Sequence, residues 1–195
     1  MLLDRDGVLN ELVTDPDSGK AESPLDVGQV RLVPGAAAAA VRLARAGYLL
    51  VCVSNQPAAA KGKVSVAQLL AVHERVIALL ERDGVRLTAW RLCLHHEDGV
   101  VPALAKRCVC RKPAPGMLLD VAATLGVDLA SSWMVGDTDA DIGAGQAAGC
   151  RTLLVRYPGS VHKRLQVLRA DLVADSLAEG VEKLSLRRSE TVTEN

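Results

Sequence analysis

Apolar residues recur along the chain at two periods. Runs such as Leu2-Leu3 and the segments 48–53, 89–92, 132–135 and 152–155 show no polar alternation, which marks strands buried on both faces of a parallel sheet. Between them the apolar positions fall at helical spacing. A first helix opens at Pro34 and runs through the alanine stretch, with Val41, Leu43 and Ala44 available for burial and Gly47 placed just beyond its end. A second covers 66–82 and stops at Asp83-Gly84. A third starts from Pro115, carries Met117, Leu118, Val121, Ala122 and Leu125 on one face, and stops at Gly126. A fourth spans about 142–148 and is closed by Gly149, and a weak one covers 177–184. Segment 11–34 instead collects turn residues around short apolar pieces and reads as a flap or hairpin. The pattern predicts one α/β domain over 1–186, with 187–195 as a polar, disordered tail.

Composition narrows the function classes. The 195 residues are 49% hydrophobic, enough for a full core, and no Pro/Gly/Ser linker divides them. Formal net charge is zero and only four residues are aromatic, so neither nucleic acid nor a membrane surface is an expected partner. Any anion must be held locally. No apolar run approaches the roughly 20 residues that span a bilayer, and the opening apolar residues meet charge at Asp4, so a cytoplasmic protein is expected; a monomer is the expected state. In a reducing compartment its five cysteines are ligands or core residues rather than disulfides. Cys52 and Cys150 read as core.

Two acidic loops follow predicted strands. Leu2-Leu3 leads straight into Asp4-Arg5-Asp6-Gly7, so carboxylates at i and i+2 share a turn in which glycine lets the backbone approach a ligand. The second loop, Gly136-Asp137-Thr138-Asp139-Ala140-Asp141, ends the strand at 132–135. There Asp139 and Asp141 would favour a helix N-terminus, while Asp137 is the better metal ligand. Taken alone, the first loop could be an Asx-type turn. A third constellation is Cys93-Leu94-His95-His96 with Cys108-Val109-Cys110. Three thiolates and an imidazole suit a closed, structural Zn²⁺ site, with His95 or His96 as the nitrogen ligand. Lys112 follows directly, ahead of Pro113 and the third helix, so a zinc loop would fix where this lysine points.

The order Asp4-x-Asp6-Gly7-Val8, Ser54-Asn55-Gln56, Lys112-Pro113 and Gly136-Asp137-x-x-x-Asp141 resembles the four motifs of the haloacid-dehalogenase-like (HAD) phosphatases. The cysteine loop resembles the branch whose members act on heptose bisphosphate or histidinol phosphate. The resemblance implies a three-layer, Rossmann-like parallel sheet with the first strand central, no large cap domain and a zinc-binding loop insertion. It further implies Asp4 as nucleophile, Asp6 as general acid/base with its carbonyl on Mg²⁺, Ser54 as a donor to the phosphoryl group and Lys112 as charge stabiliser. Asp4, Asp6 and Asp137 would hold Mg²⁺ with Asp141 behind them, and Cys93, His95, Cys108 and Cys110 would hold Zn²⁺. Asn55, Gln56, Lys61 and Arg111 become substrate-binding candidates. Where the family commonly has glycine and arginine after the second motif, this chain reads Pro57-Ala58-Ala59-Ala60-Lys61-Gly62.

The expected activity is Mg²⁺-dependent hydrolysis of a small phosphomonoester, a sugar phosphate such as heptose bisphosphate, through an aspartyl phosphate. Histidinol phosphate is the alternative substrate. Two other classes fit less of the sequence: a zinc-containing binding module without catalysis, and a mutase-like phosphoryl-transfer protein.

Overall fold

The computed structural model describes residues 1–16, 18–165 and 168–193, with side chains described as far as 186. Among the described residues six parallel strands form one sheet: β1 (Leu2–Leu3), β4 (Val51–Asn55), β5 (Ala89–Cys93), β6 (Trp133–Gly136), β7 (Arg151–Val155) and β8 (Leu172–Ala174). A separate antiparallel hairpin joins β2 (Val13–Thr14) to β3 (Ala21–Glu22), where the flap was expected. The sheet order is β5-β4-β1-β6-β7-β8. From β1 the chain builds outward on one side, then returns to the other side of β1 with β6. The order therefore reverses between β1 and β6, the place where open α/β sheets bind ligands at the carboxyl ends of their strands.

Among the described residues five α-helices cover the faces: α1 (Ala36–Arg45), α2 (Val66–Arg82), α3 (Gly116–Leu125), α4 (Asp139–Ala147) and α5 (Leu177–Thr193). Alternate side chains of each strand divide between two cores. Leu3, Cys52 and Val135 pack with residues of α1, α2 and α5, while Leu2, Val51, Val53 and Met134 pack with residues of α3 and α4. This is the three-layer arrangement, and among the described residues no large cap domain interrupts it.

Several boundaries differ from the sequence expectation. The first helix begins at Ala36 rather than Pro34, because Gly35 (φ +80°) is left-handed and breaks helical continuity. The strand expected over 48–53 is Val51–Asn55. Its neighbours decide this, since Leu2 and Leu3 pair with Val51 and Cys52 while β5 pairs as far as Asn55. The fourth helix starts three residues early, at Asp139. Its N-cap is Thr138, whose backbone N–H (3.0 Å) and hydroxyl (2.6 Å) both donate to the Asp141 carboxylate. β8 was not expected as a strand. The backbone of α5 continues to Thr193, where a disordered tail was expected from 187, because elongation from a turn anchored by Leu177, Val181 and Leu184 costs little. Residues 194–195 and Asp17 of the flap lie outside the description.

Candidate active site

β1 and β6 deliver the two acidic loops side by side. The Asp4 N–H donates to the Val135 carbonyl (2.8 Å), so the ladder between the strands runs to the first carboxylate. Gly7 then brings the turn back against the second loop. It has φ +81°, and a Cβ there would overlap the Asp137 carboxylate, so both backbone and space require glycine. At Gly136 a Cβ would likewise overlap Asp141.

Three buried carboxylates converge here. Ligand oxygens of Asp4, Asp137 and Asp141 lie within 4.8 Å of one another. One ammonium faces them: Lys112 Nζ is 2.9 Å from Asp4 and 2.6 Å from Asp141, and donates to the Val53 carbonyl at 2.7 Å. Burial opposes the charge on Lys112, but Asp141 and Asp4 outweigh it and hold the ammonium above its ordinary value. Burial, with Asp141 beside it, pushes the Asp4 carboxyl up to about 7 against the pull of Lys112. Asp137 is raised well above the carboxylate range by burial, then by Asp4 and Asp141. The Ser160 hydroxyl donates to its Oδ2, while its buried Oδ1 has no hydrogen-bond partner among the described residues. Three carboxylates against one cation, with an orphaned oxygen, fit a bound divalent cation. Asp141, expected behind the metal ligands, lies in the same group of carboxylates and pairs with Lys112.

Asp6 is held apart from this group. Arg5 Nε (3.2 Å) and Nη2 (3.0 and 3.1 Å), Asn10 Nδ2 (2.8 Å), Gln56 Nε2 (2.5 Å) and the Ser23 hydroxyl (2.9 Å) all donate to its carboxylate. Burial would raise its pKa, but Arg5 and these donors outweigh burial and keep it below the usual range. Arg5, Asn10, Ser23 and Ser160 were not expected at the site. For Arg5 the signal was available, as a cation between two aspartates at a strand end. The others carry no local signal.

The remaining candidates divide. A cavity of about 340 Å³ over the carboxylates is bordered by Lys61, Arg111 and Asn55 as well as by Glu22, Ser23 and Lys163. Asn55 grips the Lys112 backbone on both sides, Nδ2 donating to its carbonyl (2.9 Å) and Oδ1 accepting from its N–H (3.0 Å). Gln56 and Ser54 are buried and do not border this cavity, and Ser54 Oγ accepts from Gln56 Nε2 at 3.0 Å. Gln56 instead holds Asp6.

Cys93, His95, Cys108 and Cys110 form a second cluster. Their sulfurs stand 3.2–3.5 Å apart, and His95 Nδ1 lies 3.4 Å from Cys110 Sγ. His96 lies outside this group, its Nδ1 accepting from the Asp98 N–H at 3.1 Å, so His95 is the imidazole that joins the sulfurs. Three soft sulfurs and one imidazole nitrogen fit a tetrahedral zinc ion. Arg111 Nη1 reaches the His95 carbonyl at 3.4 Å, tying the loop that carries Lys112 to this cluster.

Residues 109–180 match the HAD-hydrolase-like family model. D-glycero-beta-D-manno-heptose-1,7-bisphosphate 7-phosphatase of Rhodopseudomonas palustris is 39% identical over 75% of this chain and 77% of its own length. The enzyme of the same name from Yersinia pestis is 35% identical over 92% of this chain and 91% of its own. This chain belongs to the heptose-bisphosphate 7-phosphatases of the HAD-like hydrolases. The D,D-heptose 1,7-bisphosphate phosphatase of B. bronchiseptica, crystallised with magnesium and phosphate, superposes with a TM-score of 0.80 at 32% identity, covering 96% of this chain and 98% of that one. The family's enzyme from Burkholderia thailandensis gives 0.64 at 27% identity, with coverage of 94% and 96%. No helix among the described residues is long and apolar enough to cross a membrane.

Proposed function

We propose that this chain is a Mg²⁺-dependent phosphomonoesterase that removes the 7-phosphate of D-glycero-β-D-manno-heptose 1,7-bisphosphate. The observation that carries this reading is the convergence of Asp4, Asp137 and Asp141 on Lys112 at the reversal point of the sheet. Mg²⁺ would be held by Asp4 and Asp137, with Asp141 beside them, and when bound it would neutralise the repulsion between these carboxylates and a dianionic phosphate. Lys112 spreads the remaining negative charge, and Asp4 Oδ attacks phosphorus to form an aspartyl phosphate. Asp6 then takes a proton from water and so opens that intermediate. Its donors keep it ionised, which suits this step. For the first step it must carry a proton to the departing alkoxide, so it has to give up contacts such as those with Ser23 and Gln56 as substrate enters.

Lys61 and Arg111 support a bisphosphate. Both border the cavity, and among the described residues neither pairs with a carboxylate, so both can meet a second phosphate. Zn²⁺ would be held by Cys93, His95, Cys108 and Cys110, a closed set that leaves no open position and so serves structure. The test is phosphate release from heptose bisphosphate and from histidinol phosphate, each with Mg²⁺ and with EDTA. Mg²⁺-dependent turnover that favours the heptose supports the reading. Preference for histidinol phosphate overturns the substrate, and turnover of neither overturns the activity.

A further inference from the structure

The cavity contains one charged pair that the chemistry above does not use. Glu22, at the end of the flap strand β3, lies 2.7 Å from Lys163 Nζ and 3.9 Å from His162 Nε2. Lys163 and His162 belong to the 3₁₀ turn Pro158–Lys163, which follows β7. Glu22 and Lys163 both border the same cavity as Asp4 and Lys112. Among the described residues the flap shares no strand pairing with the main sheet, so side chains must seat it. At Gly159 a Cβ would stand 3.2 Å from Ala21 Cβ and 3.3 Å from Leu12 Cδ1, so the turn packs its bare backbone on the flap. On the other flank of Glu22, Ser23 donates to Asp6.

That placement says which part of a substrate meets Glu22. In the proposed reaction, on which this inference rests, Asp6 protonates the leaving oxygen. Ser23 touches Asp6 and Glu22 borders the same cavity, so a leaving group protonated by Asp6 comes within reach of Glu22. Lys163 already neutralises Glu22, which makes this wall different from the one carrying Lys61 and Arg111. A second phosphate gains no net cation there, and a cationic leaving group gains no counter-ion. What remains is an array of oxygen acceptors and N–H donors of zero net charge, suited to neutral hydroxyl groups.

We propose that the Glu22–Lys163 pair is the specificity element for the hydroxylated body of the substrate, selecting a polyol leaving group over one that is charged or apolar. A site built to hydrogen-bond hydroxyls discriminates because substrates without them leave its polar groups unpaired. The pair is about one-third exposed on the lysine and two-fifths on the glutamate, so it adds little to stability and its substitution should leave the fold intact.

The experiment compares kcat/KM for heptose 1,7-bisphosphate with kcat/KM for p-nitrophenyl phosphate, whose leaving group has no hydroxyls. Wild type, Glu22→Gln and Lys163→Met are measured with Mg²⁺, and circular dichroism checks folding. Each substitution should lower the ratio of the two values by about tenfold or more, chiefly through KM for the heptose, since the contact is made in ground state and transition state alike. The two variants alter different elements, so agreement between them excludes local damage. A ratio within about twofold of wild type in both folded variants, or equal losses on the two substrates, overturns the proposal. Wild-type enzyme that hydrolyses neither substrate overturns the phosphatase reading and the proposal with it, and is seen before any substitution is made.

Discussion

Arg5 grips Asp6, its neighbour in the chain, through Nε and Nη2 at 3.0–3.2 Å, and the arginine side chain is fully buried. A buried ion pair adds little net stability over an apolar pair, but losing one partner leaves the other charge uncompensated. Arg5→Met should therefore destabilise the protein by about 3 kcal/mol or more, read by urea denaturation at neutral pH. Because the folded pKa of Asp6 lies below its unfolded value of 3.8, the pair's contribution is complete above that value and is lost as pH falls through the folded one. The cost of Arg5→Met should shrink in acid. A cost that is small, or that grows in acid, would show that Arg5 is not the counter-ion of Asp6.

Asp4→Asn and Asp137→Asn should each lower kcat on the order of a thousandfold, since an amide is neither nucleophile nor strong metal ligand. Steady-state phosphate release measures this. Substantial turnover by Asp4→Asn would remove the covalent step.

The same aspartate has an opposite effect on stability. A carboxyl raised from 3.8 to about 7 binds more protons folded than unfolded between those values, so ionising it costs the metal-free fold progressively as pH rises through that window. In EDTA, the melting temperature of Asp4→Asn relative to wild type should therefore climb between pH 4 and pH 7, on a scale of about 2–4 °C per kcal/mol. Saturating Mg²⁺ should stabilise wild type and narrow that gap. A gap independent of pH would remove the charge repulsion inferred for the cluster.

Lys112 is fixed from two directions, by Asn55 on its backbone and by Cys110 two residues before it. Cys110→Ser, Asn55→Ala and Lys112→Ala should each lower kcat, since a misplacement of about 1 Å can cost roughly a hundredfold. Combining Cys110→Ser with Lys112→Ala should cost less than the product of the separate losses. Purified, unchelated protein should contain one zinc ion per chain by elemental analysis. Fully multiplicative losses in folded proteins would assign the cysteine loop to something other than Lys112.

Gly7→Ala tests the close approach of the two loops. The new methyl would displace Asp137 and strain a left-handed backbone, so kcat should fall by about a hundredfold or more. Activity near wild type would mean that the loops move apart without penalty.

The sequence by itself determined the parts of this protein that are local. Unalternating apolar runs identify parallel strands, and Asp4 and Asp137 lie directly behind two of them, so their place at the sheet's carboxyl edge follows from strand direction alone. The cysteine pairs were legible because ligand spacing is a property of short loops. What the tertiary structure decided depends on where distant segments meet. Sheet register set the end of β4 at Asn55, and with it the grip on Lys112 from 57 residues away. Packing beside β6 turned Asp141 from a helix-capping residue into a third member of the carboxylate group as well. The choice of His95 over His96 required knowing which imidazole faces three sulfurs. Ser160, Ser23, Glu22 and Lys163 sit in segments too short to show periodicity, a two-residue strand end and a 3₁₀ turn, and their contacts with Asp137, Asp6 and each other arise only when the flap and the turn after β7 come together. Periodicity and spacing report a residue's neighbours within a few positions, whereas the charge balance of a buried site is a sum over everything the fold brings within reach of it.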